Sequence, residues 1–189
     1  MLNRWLRPPK AFVKRLSVSI ARVGLHSTQI MKRFNSIALP ALVVNPTGKF
    51  AYVTNLRDST VSGFRIDHKT GALTLIPASP FPTGSQPIGL AVDPNGKFTY
   101  VANAASNTVS GYSIDPLTGA LTAVPGSPFA AGADSISVAT DPTAQFAYVT
   151  NAQDDTVSAY TIDCGGFLSP VSGSPFPAGT LPVAIAITK

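Results

Sequence analysis

Residues 87–132 read PIGLAVDPNGKFTYVANAASNTVSGYSIDPLTGALTAVPGSPFAAG. The chain contains this unit three times, since FAYVTN at 50–55, FTYVAN at 98–103 and FAYVTN at 146–151 are each 48 residues apart. SPFPTG at 79–84, SPFAAG at 127–132 and SPFPAG at 174–179 follow at intervals of 48 and 47 residues. A fixed period in this range indicates a repeat architecture in which every unit is one supersecondary block.

Each unit holds four strand signals separated by turn residues. In the central unit these signals cover residues 88–92, 97–102, 108–114 and 120–124. The tetrapeptide DPNG at 93–96 joins the first two and has the residues of a type I turn. Short strands joined by such turns predict an antiparallel meander.

The residue types along the strands predict which faces are covered. The third strand is apolar on both faces and carries small residues at one repeated position, namely Gly63, Gly111 and Ala159. We expect a neighbouring backbone to approach closely there. The fourth strand contains Pro170 in the last repeat, which suits an outer edge. Small four-stranded sheets stacked around an axis are β-propeller blades.

The predicted fold class is therefore all-β, an incomplete propeller of three blades plus one strand. We expect blades over residues 39–76, 88–124 and 136–171, and the inner strand of a fourth blade over 181–188. The stretch 125–135, rich in Pro and Gly, is expected to cross irregularly from one blade to the next. Three blades fill less than half of a seven-bladed ring, so we expect self-association or missing blades to cover the open blade faces.

The repeat motifs resemble those of a known family. FAYVTN and FTYVAN follow an Asn-Pro or Asp-Pro turn, and with TGALT and GSPF they resemble the YVTN repeats of the seven-bladed lactonase-type propellers. The resemblance covers residues 36–189. It implies a propeller fold but not one activity, because the family includes lactonases and non-enzymatic surface proteins.

Residues 1–35 have a different composition from the repeats. They hold eight of the fourteen Lys and Arg residues and no acid, whereas residues 36–189 hold six basic and nine acidic residues. These 35 residues therefore account for the basic pI of about 9.6. Because the basic residues do not cluster on the predicted blades, no nucleic-acid partner is expected. We predict a disordered leader outside the propeller, or translated upstream sequence, and an Arg-rich organellar transit segment is the alternative.

Three features of the sequence bear on cellular location. No apolar run of seven residues precedes Ile37, so a secretory signal fits poorly, although the family resemblance favours a secreted or envelope location. No apolar stretch reaches 18 residues, so no membrane span is expected. Cys164 is the single cysteine, which rules out an intrachain disulfide.

The chain is poor in groups suited to acid–base catalysis. It contains no glutamate, and its two histidines are His26 and His68. The resemblance implies a substrate funnel at the end that carries the blade-to-blade links and the loops between second and third strands, with Arg, His and Glu as catalytic groups. His68 falls in a turn at the opposite end, so no catalytic residue, cofactor or metal is predicted.

Polar residues at the expected funnel end are the candidate ligand-binding set: Arg57, Asp58, Gln86, Asn107, Asp134, Asp154 and Asp155. Adjacent Asp154 and Asp155 suit a cation or form a solvated turn. The recurring Asn55, Asn103 and Asn151 are expected to bond local backbone at strand ends.

Three functions are compatible with these observations. The first is a non-catalytic repeat module that serves as an interaction scaffold or as part of a larger propeller. The second is a lactonase-type hydrolase acting on substrates such as 6-phosphogluconolactone, with its catalytic residues in missing blades or in a partner chain. The third is a secreted or envelope surface repeat protein.

Overall fold

A computed structural model describes residues 41–188 of the chain. The predictions for residues 1–35 lie outside this range. Among residues 41–188 there is no helix long and apolar enough to cross a membrane. The described residues form fifteen strands: β1 (Leu42–Val44), β2 (Phe50–Asn55), β3 (Thr60–Ile66), β4 (Leu73–Leu75), β5 (Phe81–Pro82), β6 (Pro87–Val92), β7 (Phe98–Asn103), β8 (Thr108–Ile114), β9 (Leu121–Ala123), β10 (Phe129–Ala130), β11 (Ser135–Thr140), β12 (Phe146–Asn151), β13 (Thr156–Ile162), β14 (Leu168–Pro170) and β15 (Phe176–Pro177).

The strands form three antiparallel sheets in chain order, as expected for propeller blades. Blade one contains β1 to β5, blade two β6 to β10 and blade three β11 to β15. Each sheet runs from an inner strand through two central strands to the outer edge. The repeat motif FTYVAN is a central strand, β7, and Tyr100 is opposite Gly111 on β8.

The predicted turn between the first two strands forms through its aspartate. In blade two one carboxylate oxygen of Asp93 accepts hydrogen bonds from the backbone N–H groups of Lys97 and Phe98, both at 2.7 Å. The Gly96 N–H donates to the Asp93 carbonyl at 2.9 Å, and Gly96 has a φ of 67°. Aspartate at the first turn position thus closes the turn in the way the sequence indicated.

The outer edge of each blade is built from two segments. In blade two both β9 and β10 pair with β8, β9 beside its end and β10 beside its start. The chain runs in the same direction through both segments and leaves the sheet between them at a turn around Gly126, which has a φ of 80°. The Ser127–Pro128 peptide bond that follows is cis. The Ser127 hydroxyl oxygen then accepts a hydrogen bond from the Gly111 N–H at 3.0 Å.

The blades therefore extend further than the sequence suggested. The sheets end at Pro82, Ala130 and Pro177 rather than at residues 76, 124 and 171. Within the predicted irregular link 125–135, residues 129 and 130 form a two-residue strand, and only the residues after them cross to the next blade. A strand of two residues carries no alternating pattern, which is why the link appeared irregular.

The small residues of the third strand accommodate side chains and not a neighbouring backbone, so that detail of the prediction is wrong. A Cβ added at Gly111 would lie 3.0 Å from Val124 Cγ2, 3.1 Å from Phe129 Cε2 and 3.2 Å from Tyr100 Cε1. Close backbone approach occurs instead at Gly89 on the inner strand, where a Cβ would be 2.5 Å from the Ile136 carbonyl oxygen. The inner strands of blades two and three are thus directly adjacent.

The core lies between blades. We call the side of a blade that faces the next blade its trailing face, and the side that faces the preceding blade its leading face. One cluster joins Phe50, Tyr52, Val61, Ile76 and Phe81 of blade one to Leu90, Val101, Tyr112, Ile114 and Leu121 of blade two. A second joins Tyr100, Ala102, Val109, Val124 and Phe129 of blade two to Val138, Ala147, Val149, Tyr160 and Leu168 of blade three.

Tyrosine hydroxyls connect the blades at repeated positions. Tyr52 on blade one donates to the Gly119 carbonyl of blade two at 2.8 Å, and Tyr100 donates to the Gly166 carbonyl of blade three at 3.0 Å. A second bond runs backwards, from Tyr112 to the Pro82 carbonyl at 2.6 Å. Buried hydroxyls need such partners, and these bonds fix the register of one blade on the next.

Residues 181–188 do not form the strand predicted for them. No strand is assigned there, although the Ile185 N–H approaches the Ser137 hydroxyl oxygen at 3.4 Å and so lies beside β11. Inner strands are stabilised by pairing with the second strand of their own blade, as β11 pairs with β12. Among residues 41–188 nothing takes that place beside residues 181–188.

Candidate functional site

The candidate residues lie on loops at one end of the blades. Arg57, Asp58, Asn107, Asp154 and Asp155 are on the loops between β2 and β3, β7 and β8, and β12 and β13. Gln86 and Asp134 are on the links that enter β6 and β11. Hydrogen bonds hold links and loops together, because the Gln86 carbonyl accepts from the Ala104 N–H at 3.0 Å and the Asp134 carbonyl from the Ala152 N–H at 2.9 Å.

Several of these residues have the left-handed backbone conformation. The loop positions Ser59, Asn107 and Asp155 have φ values of 54°, 55° and 54°, and the link positions Gln86, Asp134 and Leu181 have 52°, 57° and 59°. Asn and Asp tolerate this conformation better than most residues. Their presence at these positions therefore has a backbone explanation that the sequence alone did not reveal.

The side chains of the same loops accept hydrogen bonds from the links. The Asn107 side-chain oxygen accepts from the Asp134 N–H at 3.0 Å, and the Asp155 carboxylate accepts from the Leu181 N–H at 2.7 Å. The Asp154 carboxylate accepts from the Ala133 N–H at 2.7 Å. These three side chains hold the crossing segments in place.

Asp154 and Asp155 do not form a multi-carboxylate cation site with other residues. Within residues 41–188 there is no group of three or more His, Cys, Asp and Glu side chains placed to hold a metal ion. Each of the two carboxylates instead serves a different link residue, Ala133 and Leu181 respectively. Their arrangement resembles loop capping more than the oxygen cage that hard cations need.

Arg57 and Asp58 are both exposed and neighbour each other on one loop. They lie with residues 53–56 around an open cavity of about 410 Å³ at the loop after β2. Asp58 occupies the repeat position of Asp154, whose carboxylate accepts a hydrogen bond from the link into blade three. The link residue that would donate to Asp58 is outside the described range. Arg57 contributes the one cationic group of the seven-residue set.

Asp134 lies in an environment that favours the protonated form of its carboxyl group. It is half-buried in the link into β11, and burial raises the pKa of its carboxyl above the ordinary value. Its backbone N–H is bound by Asn107 and its backbone carbonyl by Ala152. Removal from water disfavours the charged carboxylate, so Asp134 is more easily protonated than a free aspartate.

The recurring asparagines are structural, but through different partners from those expected. Asn103 is fully buried and its side-chain amide donates to the Thr108 and Ser110 hydroxyls at 3.2 and 3.0 Å. Asn55 and Asn151 make the equivalent pairs of bonds. The predicted local backbone bonding is thus replaced by bonds to side chains of the adjacent strand.

His68 lies at the other end of blade one. It is in the turn between β3 and β4, and its Cε1 atom would be 3.4 Å from a Cβ at Gly48 in the turn between β1 and β2. Turns of this kind are opposite to the loops that carry Arg57. The described part of the chain therefore brings no histidine to the candidate site.

The described blades also form a concavity that the sequence did not indicate. A cleft of about 360 Å³ lies on the outer rim between blades one and two, lined mainly by Phe81, Pro82, Tyr112 and Leu121. The Tyr112 hydroxyl is already bound to the Pro82 carbonyl. The Ser-Pro-Phe motif is the only sequence signal for this cleft, and it marks an outer strand and not a ligand.

The comparison with family models identifies the class. The model of the lactonase, seven-bladed β-propeller family matches residues 20–136, which is more than half of the chain. The chain belongs to this family. The match begins within the segment predicted to precede the blades, and it ends at the start of blade three.

Solved structures with similar folds include lactonase-type propellers. A putative 6-phosphogluconolactonase from Bacteroides fragilis has a TM-score of 0.68 and 24% identity, over 78% of this chain and 41% of its own length. A protein from Lactobacillus plantarum has a TM-score of 0.66 and 26% identity over 77% and 43%. The periplasmic gluconolactonase of Pseudomonas aeruginosa has a TM-score of 0.60 and 24% identity over 77% and 43%.

These comparisons define the fold and its extent. The chain spans about two fifths of the length of the similar structures. No curated protein gave a significant match. A lactonase-type propeller fold is therefore the class to which the described blades belong.

Proposed function

We propose that the three described blades are a non-catalytic module of a lactonase-type propeller. The observation that carries this proposal is the use of the polar funnel-end side chains as loop caps. Asn107, Asp154 and Asp155 each accept a hydrogen bond from a link backbone. Side chains committed to their own loops are poorly placed to rearrange around a substrate.

The available acid–base groups support the same proposal. Lactone hydrolysis needs a group that activates water and a group that stabilises the developing negative charge. His68 is at the opposite end from the candidate site, and the chain contains no glutamate. Of the candidate set, Arg57, Asp58 and Asp134 remain with suitable chemistry, and Asp134 lies on the link into blade three while Arg57 and Asp58 lie on blade one.

A second candidate function is lactone hydrolysis by a complete ring to which these blades contribute. The similar Bacteroides fragilis structure is described as a putative 6-phosphogluconolactonase, which favours this substrate class. In such a ring Arg57 would attract an anionic sugar acid, and the carboxyl of Asp134, whose pKa is raised by burial, would act as a proton carrier. The other catalytic groups would come from blades beyond the described three.

An assay of 6-phosphogluconolactone hydrolysis tests the proposal. The purified chain should leave the spontaneous rate unchanged, and so should the variants Arg57→Ala and Asp134→Asn. The matched control is Lys97→Ala, which removes a charge from the turn at the opposite end. Turnover above the spontaneous rate that Arg57→Ala or Asp134→Asn abolishes, while Lys97→Ala retains it, would refute the proposal and establish the hydrolase.

A further inference from the structure

We propose that two copies of this chain join head to tail, the trailing face of blade three in one copy packing on the leading face of blade one in the other. The geometry points further to residues 181–188 of the first copy as the inner strand of the second copy's blade one. This inference concerns assembly and goes beyond the proposed function.

The leading face of blade one lacks the cover that its repeat equivalents have. Leu42 is 60% exposed, whereas Leu90 at the same position of blade two is 5% exposed. Leu73 is 53% exposed, whereas Leu121 and Leu168 are 8% and 2% exposed. All five residues are leucines, so the difference in exposure does not come from residue type. It arises because no blade precedes blade one among residues 41–188.

The trailing face of blade three is open in the same way. Phe176 is 42% exposed, whereas Phe81 and Phe129 are 6% and 7% exposed at the same repeat position. Tyr148 is half-buried, whereas Tyr52 and Tyr100 are fully buried. Blade three thus presents the surface with which blades one and two bind their successors.

The two open faces have matching contact groups. A Cβ at Gly119 would be 2.5 Å from the Phe50 ring, and a Cβ at Gly166 would be 2.5 Å from the Phe98 ring. Gly71, the equivalent turn glycine of blade one, has the same positive φ and nothing within 4 Å of its Cβ position. The ring that belongs there by repeat position is Phe146 of a preceding blade three.

The hydrogen bonds between blades extend the match. Tyr52 and Tyr100 donate to the carbonyls of Gly119 and Gly166. In the proposed joint Tyr148 of one copy donates to the Gly71 carbonyl of the other. One bond is missing, because blade one has Phe64 where Tyr112 and Tyr160 donate backwards to the preceding blade. The joint is therefore weaker than the contacts between blades within one chain.

The segment 181–188 is placed to serve the second copy. Leu181 has the positive φ of the link residues Gln86 and Asp134, and the chain then follows β11. Ile185 takes the repeat position of Leu90 and Val138, which pair with Val101 and Val149. The register therefore places Ile185 opposite Val53 of the second copy.

The inner strand already present in blade one is exposed on its leading face. Leu42 and Val44 of β1 are 60% and 48% exposed, whereas Val43 between them packs against the core. Leu42, opposite Val53, is largely exposed. If residues 181–188 of another copy replace β1, the antiparallel register with β2 is kept. The inner strand of blade one is then preceded by Leu181, which has the same positive φ as Gln86 and Asp134 before the inner strands of the other two blades.

A ring of the family's size has room for the described blades of two copies. Residues 41–188 of two copies supply six blades, and a seven-bladed ring has seven places. A third copy would need three adjacent places where one remains. Head-to-tail association of this kind therefore ends at two copies and does not continue as a filament.

Sedimentation equilibrium with face variants tests the joint. The wild-type chain should form a dimer at micromolar concentration, and Leu73→Lys or Phe176→Lys should each raise the dimer dissociation constant by at least about tenfold. Leu117→Lys, at a 78% exposed position in a turn of blade two, is the matched control and should leave the dimer unchanged. Circular dichroism checks that every variant is folded.

Mixing the two blocked variants separates a head-to-tail joint from a symmetric one. Leu73→Lys retains an intact trailing face and Phe176→Lys retains an intact leading face, so their mixture should form a heterodimer although neither variant dimerises alone. A monomeric wild type, or a wild-type dimer that neither variant weakens, would overturn the proposal. Failure of the mixture to recover a dimer would overturn the head-to-tail arrangement.

Engineered disulfides test the exchanged strand. In a Cys164→Ser background, Ile185→Cys combined with Val53→Cys should give a dimer linked between copies under oxidation, because directly opposed antiparallel residues are close enough for a disulfide. The control pair, Leu42→Cys with Val53→Cys, gives a crosslink within one chain wherever β1 stays in place. A dimer that crosslinks only through the control pair would overturn the strand replacement.

Discussion

Removal of the Tyr100 hydroxyl is the most informative single perturbation of the blade contacts. Tyr100 is fully buried, and its hydroxyl donates to the Gly166 carbonyl of the next blade at 3.0 Å. Tyr100→Phe keeps the ring and removes the donor. A hydrogen bond of this kind contributes about 1 kcal/mol net, and a buried carbonyl left without a donor adds to the loss. We expect the free energy of unfolding to fall by about 1.5 kcal/mol.

The repeat offers matched controls for this change. Tyr52→Phe removes the equivalent bond to Gly119, so we expect a similar loss, and the double variant should lose about the sum because the two bonds lie in different interfaces. Tyr148→Phe, on the open face, should lose less than about 0.5 kcal/mol. All of these variants, and their reference chain, carry Leu73→Lys as well. This substitution blocks the proposed association, so the titration measures unfolding of the monomer.

Urea titration followed by circular dichroism measures these losses. The midpoints of Tyr52→Phe and Tyr100→Phe should fall while the slope of the free energy with urea stays constant. Equal losses at all three tyrosines would refute the reasoning, because the effect would then come from the strand itself and not from the neighbouring blade. No loss at Tyr100 would show that the bond to Gly166 does not stabilise the fold.

Two further predictions use the same contrast between covered and open positions. Leu121→Ala should destabilise the chain by about 2–4 kcal/mol in a urea titration, while Leu73→Ala costs less than about 1 kcal/mol, because only Leu121 is covered by a neighbouring blade. Burial first, and nearby carboxylates second, raise the pKa of Tyr52 and Tyr100 well above the ordinary value. The unfolded chain loses these protons near pH 10 while the folded chain keeps them, so the free energy of unfolding should be unaffected by them below about pH 10 and fall above it, as thermal melts across that range will measure.

The long strands and the blade order could be predicted because their signals are local and repeated. FTYVAN recurs in nearly the same form in all three units and follows the Asp93 turn, so its identity as a central strand needed no tertiary information. The second outer segment could not be predicted, since Phe129 and Ala130 rejoin β8 only after the outer strand is interrupted by the turn around Gly126. A pair of residues gives no periodicity that distinguishes a strand from a link.

The candidate site shows a different limit. The sequence placed Asn107, Asp154 and Asp155 on loops at one end, and the structure has them there. Whether a loop carboxylate faces solvent or an N–H group depends on backbone angles that residue type does not specify. Asp155 has a positive φ and its carboxylate accepts the Leu181 N–H, so it caps a link although its sequence context suits a cation ligand equally well.

Hydroxyl-radical footprinting tests most directly the central claim that a neighbouring blade decides whether a repeat position is core or surface. The measurement compares oxidation rates of matched side chains in the dilute, unassociated chain by mass spectrometry. Phe176 should be oxidised several times faster than Phe129, and Leu73 several times faster than Leu121, in keeping with their exposures of 42% against 7% and 53% against 8%. Equal rates within each pair would contradict the account, because the third blade's trailing face and the first blade's leading face would then be covered.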